Sequence, residues 1–498
     1  MSNQPTADLA GSAQRGTRYA AVASIVTATL QVLQMAILAR LLTPTDFAVA
    51  AVASVAIGLL AFYADFGMSG AIVHYREATA AQLSTLYWLN LGVGTALALI
   101  VVAISPVAAR FYGNASLQGT LQLLSIAIVL ASLGGQFRAI LQKNLAFSTI
   151  AHANIANAVL TFLASILAAI VGLGVYSVAL GAVVGASAST LIAIRKGRRY
   201  HRLQMHFRIG EVRNFLHFGF YQVAERTLDF LNTQLDSLIL GRLVGLADLG
   251  RYAPIKSLCS KPIALINPVI TGVAFPIMSA TQHDRERVGR IYLLQIQAVS
   301  SIAAPIYFFG LLQAPTLVSL LLGPQWASGA TVFRILAIYG LLVSIGNPVG
   351  SLLLATGRAK RSFHWNLATA FVIPLGVICA APYGITAISW AMAVLQLCLI
   401  VPGWRYLIRP SCGVSLSAYL WALAKPIALA TLTTLLVCPI TLFNIAPWQS
   451  AVAAGSLGLI VYIALCWLFN RGLVTLVYLT ILRRHIGQSA SSHADPTA

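Results

Sequence analysis

The sequence predicts an all-α polytopic membrane protein with about fourteen transmembrane helices. Three observations carry that expectation: composition, the length of the apolar runs, and the placement of Lys and Arg. Of 498 residues, 58% are hydrophobic and 9% are charged, whereas a soluble domain carries about 25% charged residues. The mean hydropathy is +0.83. A soluble fold must show a largely polar exterior, and a bilayer removes that requirement.

A bilayer core needs about 20 consecutive apolar residues in a helix. Fourteen stretches meet that length, near residues 17–39, 47–69, 84–108, 117–137, 150–172, 175–194, 214–240, 250–278, 289–312, 331–354, 363–381, 384–404, 418–440 and 448–469. The segment before the first of them is too hydrophilic for a signal peptide, so the first helix is expected to be retained.

Basic residues test this count. The net charge is +20, from 32 Lys+Arg against 12 Asp+Glu. On a soluble protein such an excess suggests nucleic acid. Here the basic residues sit in short connections between apolar runs, where they act as topology signals, and no nucleic-acid partner is expected. With the N-terminus inside, 23 fall in inner segments and four, Arg40, Arg110, Arg242 and Arg251, in outer ones. The split predicts cytoplasmic termini. The remaining five are Arg226, Lys256, Lys261, Arg334 and Lys425.

The longest polar stretch, Arg195 to Asn214, divides the chain near its middle. The sequence on either side begins alike. Ile37-Leu-Ala-Arg-Leu to Asp46 aligns with Ile239-Leu-Gly-Arg-Leu to Asp248, and His152-Ala-Asn154 aligns with His364-Trp-Asn366. Six helices per repeat is an even number, so the two repeats enter the membrane in the same sense, related by an axis along its normal. The expected organisation is a six-helix lobe over 1–194, a basic cytoplasmic linker over 195–213, a second six-helix lobe over 214–404, an extra helix pair over 405–470 and a cytoplasmic tail over 471–498. The six cysteines form no CxxC or Cys/His cluster, so neither zinc nor a disulfide framework is expected.

Charges inside a span are costly and mark functional positions by default. The seventh span holds most of them. Glu225, Asp229, Asn232 and Asp236 fall at intervals of four, three and four, which places them on one narrow helical stripe, widened by Gln222 and Thr233. Such a stripe faces the protein interior or water rather than lipid. Arg226 stands one step round and is positioned to pair with Asp229 at i+3. Asp65, in the second span, is a further carboxylate. These charges could form internal ion pairs that hold the lobes in register, or carboxylates that bind H+ or Na+. The eighth span contains Pro254, Pro262, Pro268 and Pro276, which suit a helix that bends and equally an irregular one.

Several stretches resemble a known family. Ala39 to Ala53, ARLLTPTDFAVAAVA, resembles the end of the first helix in polysaccharide transporters of the multidrug/oligosaccharidyl-lipid/polysaccharide superfamily. Phe62 to Glu77 resembles their second helix, Leu86 to Gly94 the third, and Leu231 to Ala253 the seventh with its following loop. The similarity covers most of residues 15–404. It implies translocation of an undecaprenyl-diphosphate-linked oligosaccharide across the bacterial inner membrane, without an enzymatic step. Length and pattern are similar to exporters of xanthan-like or colanic-acid-like units. Polysaccharide polymerase and chain-length proteins are then expected partners. No cofactor beyond a coupling ion is expected.

On that implication Arg226, Lys261 and Lys256 become candidates to hold the lipid diphosphate, because Arg offers bidentate geometry to phosphate and Lys a mobile point charge. Arg226 and Lys261 each lie about a dozen residues into their spans, roughly 18 Å at 1.5 Å per residue, and so near the midplane. Rival functions are a cation-coupled multidrug or small-solute antiporter and a membrane-bound polymerase or ligase. The last two usually carry a large outer loop, which this sequence does not have. There is also no GxxxxGK(S/T) phosphate loop, which argues against an ATP-driven mechanism within the chain.

Overall fold

A computed structural model describes residues 5–65, 68, 72, 78–442 and 446–469 of the chain. Among them there is no β-strand. The long helices are α1 (Pro5–Leu41), α2 (Pro44–Asp65), α3 (Ala80–Tyr112), α4 (Ser116–Lys143), α5 (Phe147–Ile170), α6 (Tyr176–Gly197), α7 (Arg213–Leu243), α8 (Leu246–Ala280), α9 (Arg285–Leu312), α10 (Ala330–Gly346), α11 (Ala359–Ala380), α12 (Gly384–Cys398), α13 (Leu416–Val437) and α14 (Pro447–Phe469). The chain is a multi-pass membrane protein. Twelve helical runs among the described residues are long and apolar enough to cross a membrane. The two spans missing from the expected fourteen are a matter of partition. α7 forms but is too polar to stand as an apolar run, and α11 and α12 fall within one run, Lys360–Cys412. The expected tail over 471–498 lies outside the described residues.

Local chemistry sets the helix ends. Thr79 and Gln82 make a reciprocal capping box at the start of α3, satisfying two otherwise orphaned donors. Thr43 and Asp46 do the same before α2, with the Thr43 amide donating to Asp46 Oδ2 at 3.0 Å and the Asp46 amide to Thr43 Oγ1 at 3.3 Å. Of the two repeat-related arginines, Arg40 donates to the carbonyls of Ala36 and Leu321. Arg242 lies 4.9 Å from the centre of the Phe111 ring. Both therefore fix local structure.

By packing, the chain divides into two compact units. The first comprises 1–258, 321–332 and 363–392, and the second 259–320, 333–362 and 393–498. The division by packing runs differently from the division by repeat. α7, the first part of α8 and most of α11 pack with the N-terminal helices.

Within a bilayer, apolar contact between helices gives little net advantage over contact with lipid, so close approach through small residues takes over. In the first unit, α5 and α6 meet in this way. A methyl group added at Gly181 would overlap Ser165 Oγ, and one at Gly185 would overlap Thr161 Oγ1. The second unit centres on Tyr292, Ile296, Ala303 and Tyr307 of α9, packed with Tyr419, Leu423 and Ala430 of α13 and Tyr462 of α14. The Tyr462 hydroxyl donates to the Ser301 carbonyl at 2.9 Å. The terminal helix pair thus shares the core of its unit.

The basic linker is a strap. Its backbone is tied across the start of α3: the Gln204 amide donates to Ser84 Oγ at 3.1 Å, Trp88 Nε1 donates to the Gln204 carbonyl at 3.0 Å, and Gln82 Nε2 donates to the Glu211 carbonyl at 3.1 Å. His201 is buried beneath it, 3.5 Å from Ser84 Oγ. Burial holds its imidazole below the ordinary histidine range.

Candidate functional site

Helix α7 belongs to the first unit despite its polarity, and aromatic contacts hold it there. The rings of Phe62 on α2 and Phe230 on α7 meet edge-to-face at 5.6 Å. Gly58 leaves the space that Phe230 occupies. The Thr227 hydroxyl donates to the Tyr63 hydroxyl at 3.2 Å. With this anchoring, the polar stripe does not have to face lipid.

The lower stripe residues converge on one buried cluster. Lys256 Nζ lies 2.6 Å from Asp236 Oδ1 and 2.8 Å from Oδ2, and also donates to the Thr233 carbonyl at 2.7 Å. The Tyr252 hydroxyl donates to Asp236 Oδ2 at 2.9 Å and lies 3.1 Å from Met392 Sδ. The Asp236 side chain is 2% exposed and that of Lys256 17%. One turn earlier, Asn232 Nδ2 donates to the Asn366 carbonyl of α11 at 3.0 Å. Its Oδ1 is buried and without a hydrogen-bond partner among the described residues. The Thr233 hydroxyl turns back to the Phe230 carbonyl at 3.1 Å.

A buried carboxylate is tolerated when paired and hydrogen-bonded, and this one has both. The arrangement neutralises Lys256 locally and fills both oxygens of Asp236. Sequence reasoning placed both residues in the membrane but did not pair them, and it missed Tyr252. An aromatic hydroxyl one turn before Lys256 was the available signal.

Arg226 is exposed on α7. The side chains of Gln222, Glu225 and Asp229 lie outside the described residues, and with them the expected Arg226–Asp229 pair. Lys261 belongs to the second unit. It is half-buried on α8, two residues after Cys259, whose carbonyl accepts from the Tyr307 hydroxyl at 2.8 Å. The four prolines of α8 do not interrupt the helix, which runs continuously from Leu246 to Ala280.

A second polar convergence lies in the first unit, on α2, α3 and α4. A methyl group at Gly135 would sit 3.8 Å from Asn90 Nδ2 and 3.9 Å from Asp65 Oδ1, so both side chains close over that glycine. Asn90 is buried, donates to the Ser132 carbonyl at 3.4 Å, and leaves its Oδ1 without a partner among the described residues. Among the described residues no group of three or more His, Cys, Asp or Glu could hold a metal ion.

The family model described as polysaccharide biosynthesis protein matches residues 37–331. The chain belongs to that family. It is 30% identical over 423 residues to the lipopolysaccharide biosynthesis protein WzxC of Escherichia coli (strain K12), covering 85% of this chain and 86% of that one. Its fold is similar to that of the lipid II flippase MurJ, whose structure was solved in an inward closed conformation, with a TM-score of 0.75 at 14% identity, covering 91% of this chain and 99% of that one. An inward-facing multidrug-resistance transporter of the MOP superfamily is similar at a TM-score of 0.63 and 15% identity, over 81% of this chain and 98% of that one. The matched residues include the whole of α7 and α8, and with them Asp236, Tyr252 and Lys256.

Proposed function

We propose that this protein flips undecaprenyl-diphosphate-linked oligosaccharide repeat units from the inner to the outer leaflet of the bacterial inner membrane, for exopolysaccharide or surface polysaccharide assembly. One observation carries the proposal. A family member with a flippase fold carries a charged helix, α7, packed among apolar spanning helices. A lipid-facing helix has no use for Asp236, Asn232 and Thr233. A helix bordering a passage for a polar headgroup does.

Within that function Arg226 and Lys261 hold the diphosphate. Lys256, clamped by Asp236, contributes less charge to it. Alternating access is coupled to an H+ or Na+ gradient through Asp65, Glu225 and Asp229. Asp236 is the weaker coupling candidate, because an internal ammonium already occupies it. The excess of basic residues in alternate connections supports cytoplasmic termini. A polysaccharide polymerase and chain-length proteins would take the delivered units. Transport without catalysis is favoured over polymerisation or ligation because the connections between spans are short.

The test is export in a strain deleted for the gene. Loss of the protein should leave lipid-linked repeat units on the inner leaflet, and its return should restore surface polysaccharide. Efflux of cationic drugs with no change in lipid-linked units would instead favour the multidrug antiporter.

A further inference from the structure

In the second unit, four arginines gather where three segments come together. Arg285 opens α9. Arg358 and Arg361 stand in and just after the turn before α11. Arg409 directly follows the irregular turn in the extension that runs on from α12. The chain over Trp404–Ile408 widens into a π-turn, a local irregularity frequent at functional sites. Carbonyls within it and just after it are capped from outside. Arg285 Nη2 donates to the carbonyls of Arg409 and Pro410 at 2.9 and 2.8 Å, and Arg361 Nη1 donates to that of Tyr406 at 3.2 Å. Two aromatic rings complete the framework. The Arg361 guanidinium is 5.8 Å from the Tyr406 ring centre, and that of Arg409 is 5.6 Å from Trp404.

The capping bonds engage Nη2 of Arg285 and Nη1 of Arg361, only part of each five-donor fork. Among the described residues, no carboxylate lies within ion-pair distance of these four guanidinium groups. The nearest acids in sequence are otherwise engaged. Asp284 caps the Arg287 amide, and Glu286 lies 3.8 Å from Arg290. Burial and then the repulsion of Arg361 and Arg285 hold the Arg358 guanidinium below its ordinary range. Like charges held this close are stabilised by an anion that bridges them.

We infer that the cluster Arg285, Arg358, Arg361 and Arg409 binds the phosphate of an anionic membrane phospholipid. Its setting selects a lipid over other anions. The arginines lie at the ends of apolar runs, Pro324–Ala355 and Lys360–Cys412. Trp404 and Tyr406 supply the aromatic character of a membrane interface. Leu354 and Val401, nearby in the chain, expose apolar side chains at 59% and 48%, which suits acyl chains beside a bound headgroup. Basic pockets between helices at a membrane face are a common mode of headgroup recognition.

The test uses the full-length protein purified in a neutral detergent. Native mass spectrometry and thermal unfolding compare added dioleoyl-phosphatidylglycerol, dioleoyl-phosphatidylcholine and inorganic phosphate. Phosphatidylglycerol should bind about tenfold more tightly than phosphatidylcholine and raise Tm. Arg358→Gln and Arg361→Gln should each lower that preference about fivefold. The lysine variants at the same positions should keep at least half of the Tm shift, and Arg199→Gln in the linker all of it. Arg285 is left intact because its capping bonds are structural. Where a glutamine variant does not fold, salt decides on the native protein: about 0.5 M NaCl should abolish the preference. Equal binding of the two lipids, a preference indifferent to salt, or full preference in both glutamine variants would overturn the site. Inorganic phosphate giving the same Tm shift as phosphatidylglycerol would overturn its assignment to a lipid.

Discussion

Lys256 and Asp236 form a buried ion pair, with Nζ 2.6 Å from Oδ1 and the Tyr252 hydroxyl completing the carboxylate shell at 2.9 Å. Removing one partner of a buried pair leaves an uncompensated charge, at a cost of about 3–5 kcal/mol, whereas removing both is often neutral. Asp236→Asn and Lys256→Met should therefore each lower Tm strongly in reconstituted membranes. The double variant should recover most of the loss. A double variant as unstable as the worse single one would show that the pair is not an energetic unit.

The diphosphate assignment makes a transport prediction. Arg226→Ala and Lys261→Ala should insert normally but reduce export strongly, with lipid-linked units accumulating on the inner leaflet. Arg226→Lys should restore export only in part, because the planar fork is lost. Leaflet-resolved labelling of the lipid-linked pool checks this. Normal export from both alanine variants would place the diphosphate elsewhere.

Ion coupling is tested at the carboxylates. Asp65→Asn, Glu225→Gln and Asp229→Asn should slow transport into proteoliposomes and weaken its response to an imposed pH or Na+ gradient. An unchanged gradient response in all three would make these carboxylates structural.

The close approach of α5 and α6 predicts a packing defect. Gly185→Val puts a branched side chain where Thr161 Oγ1 and the Asn157 carbonyl already stand. Overpacking of this kind costs about 1–3 kcal/mol. Tm should fall, and pairing the change with Thr161→Gly should return part of it. An unchanged Tm would mean that the two helices separate freely.

His201 makes the strap sensitive to acid. Its folded pKa is lowered by burial, while the unfolded chain titrates near 6.5. Between those two values the unfolded state takes up the proton and the folded state does not. Stability should thus be full above about pH 6.5 and decline as pH falls below it. His201→Gln should flatten this part of the Tm–pH curve relative to the native protein. Parallel curves would exclude the imidazole as the source.

A reporter fused within Arg195–Asn214 should give a cytoplasmic signal. A periplasmic signal would overturn both the orientation and the parallel repeat.

The sequence by itself determined the class, the approximate number and positions of the long helices, and the polar stripe on α7, because apolar length and helical spacing are local properties written in consecutive residues. It also placed Asp236 and Lys256 within the membrane. Only the tertiary structure decided that these two neutralise each other, that Asp65 and Asn90 both approach Gly135, and that α7 and part of α8 pack with the N-terminal helices. Pairing depends on which helix faces lie opposite one another, and a single sequence does not specify that. The strap was equally hidden. Its polar composition reads as a solvated linker, and only the backbone bonds to Ser84 and from Trp88 show it fastened across α3.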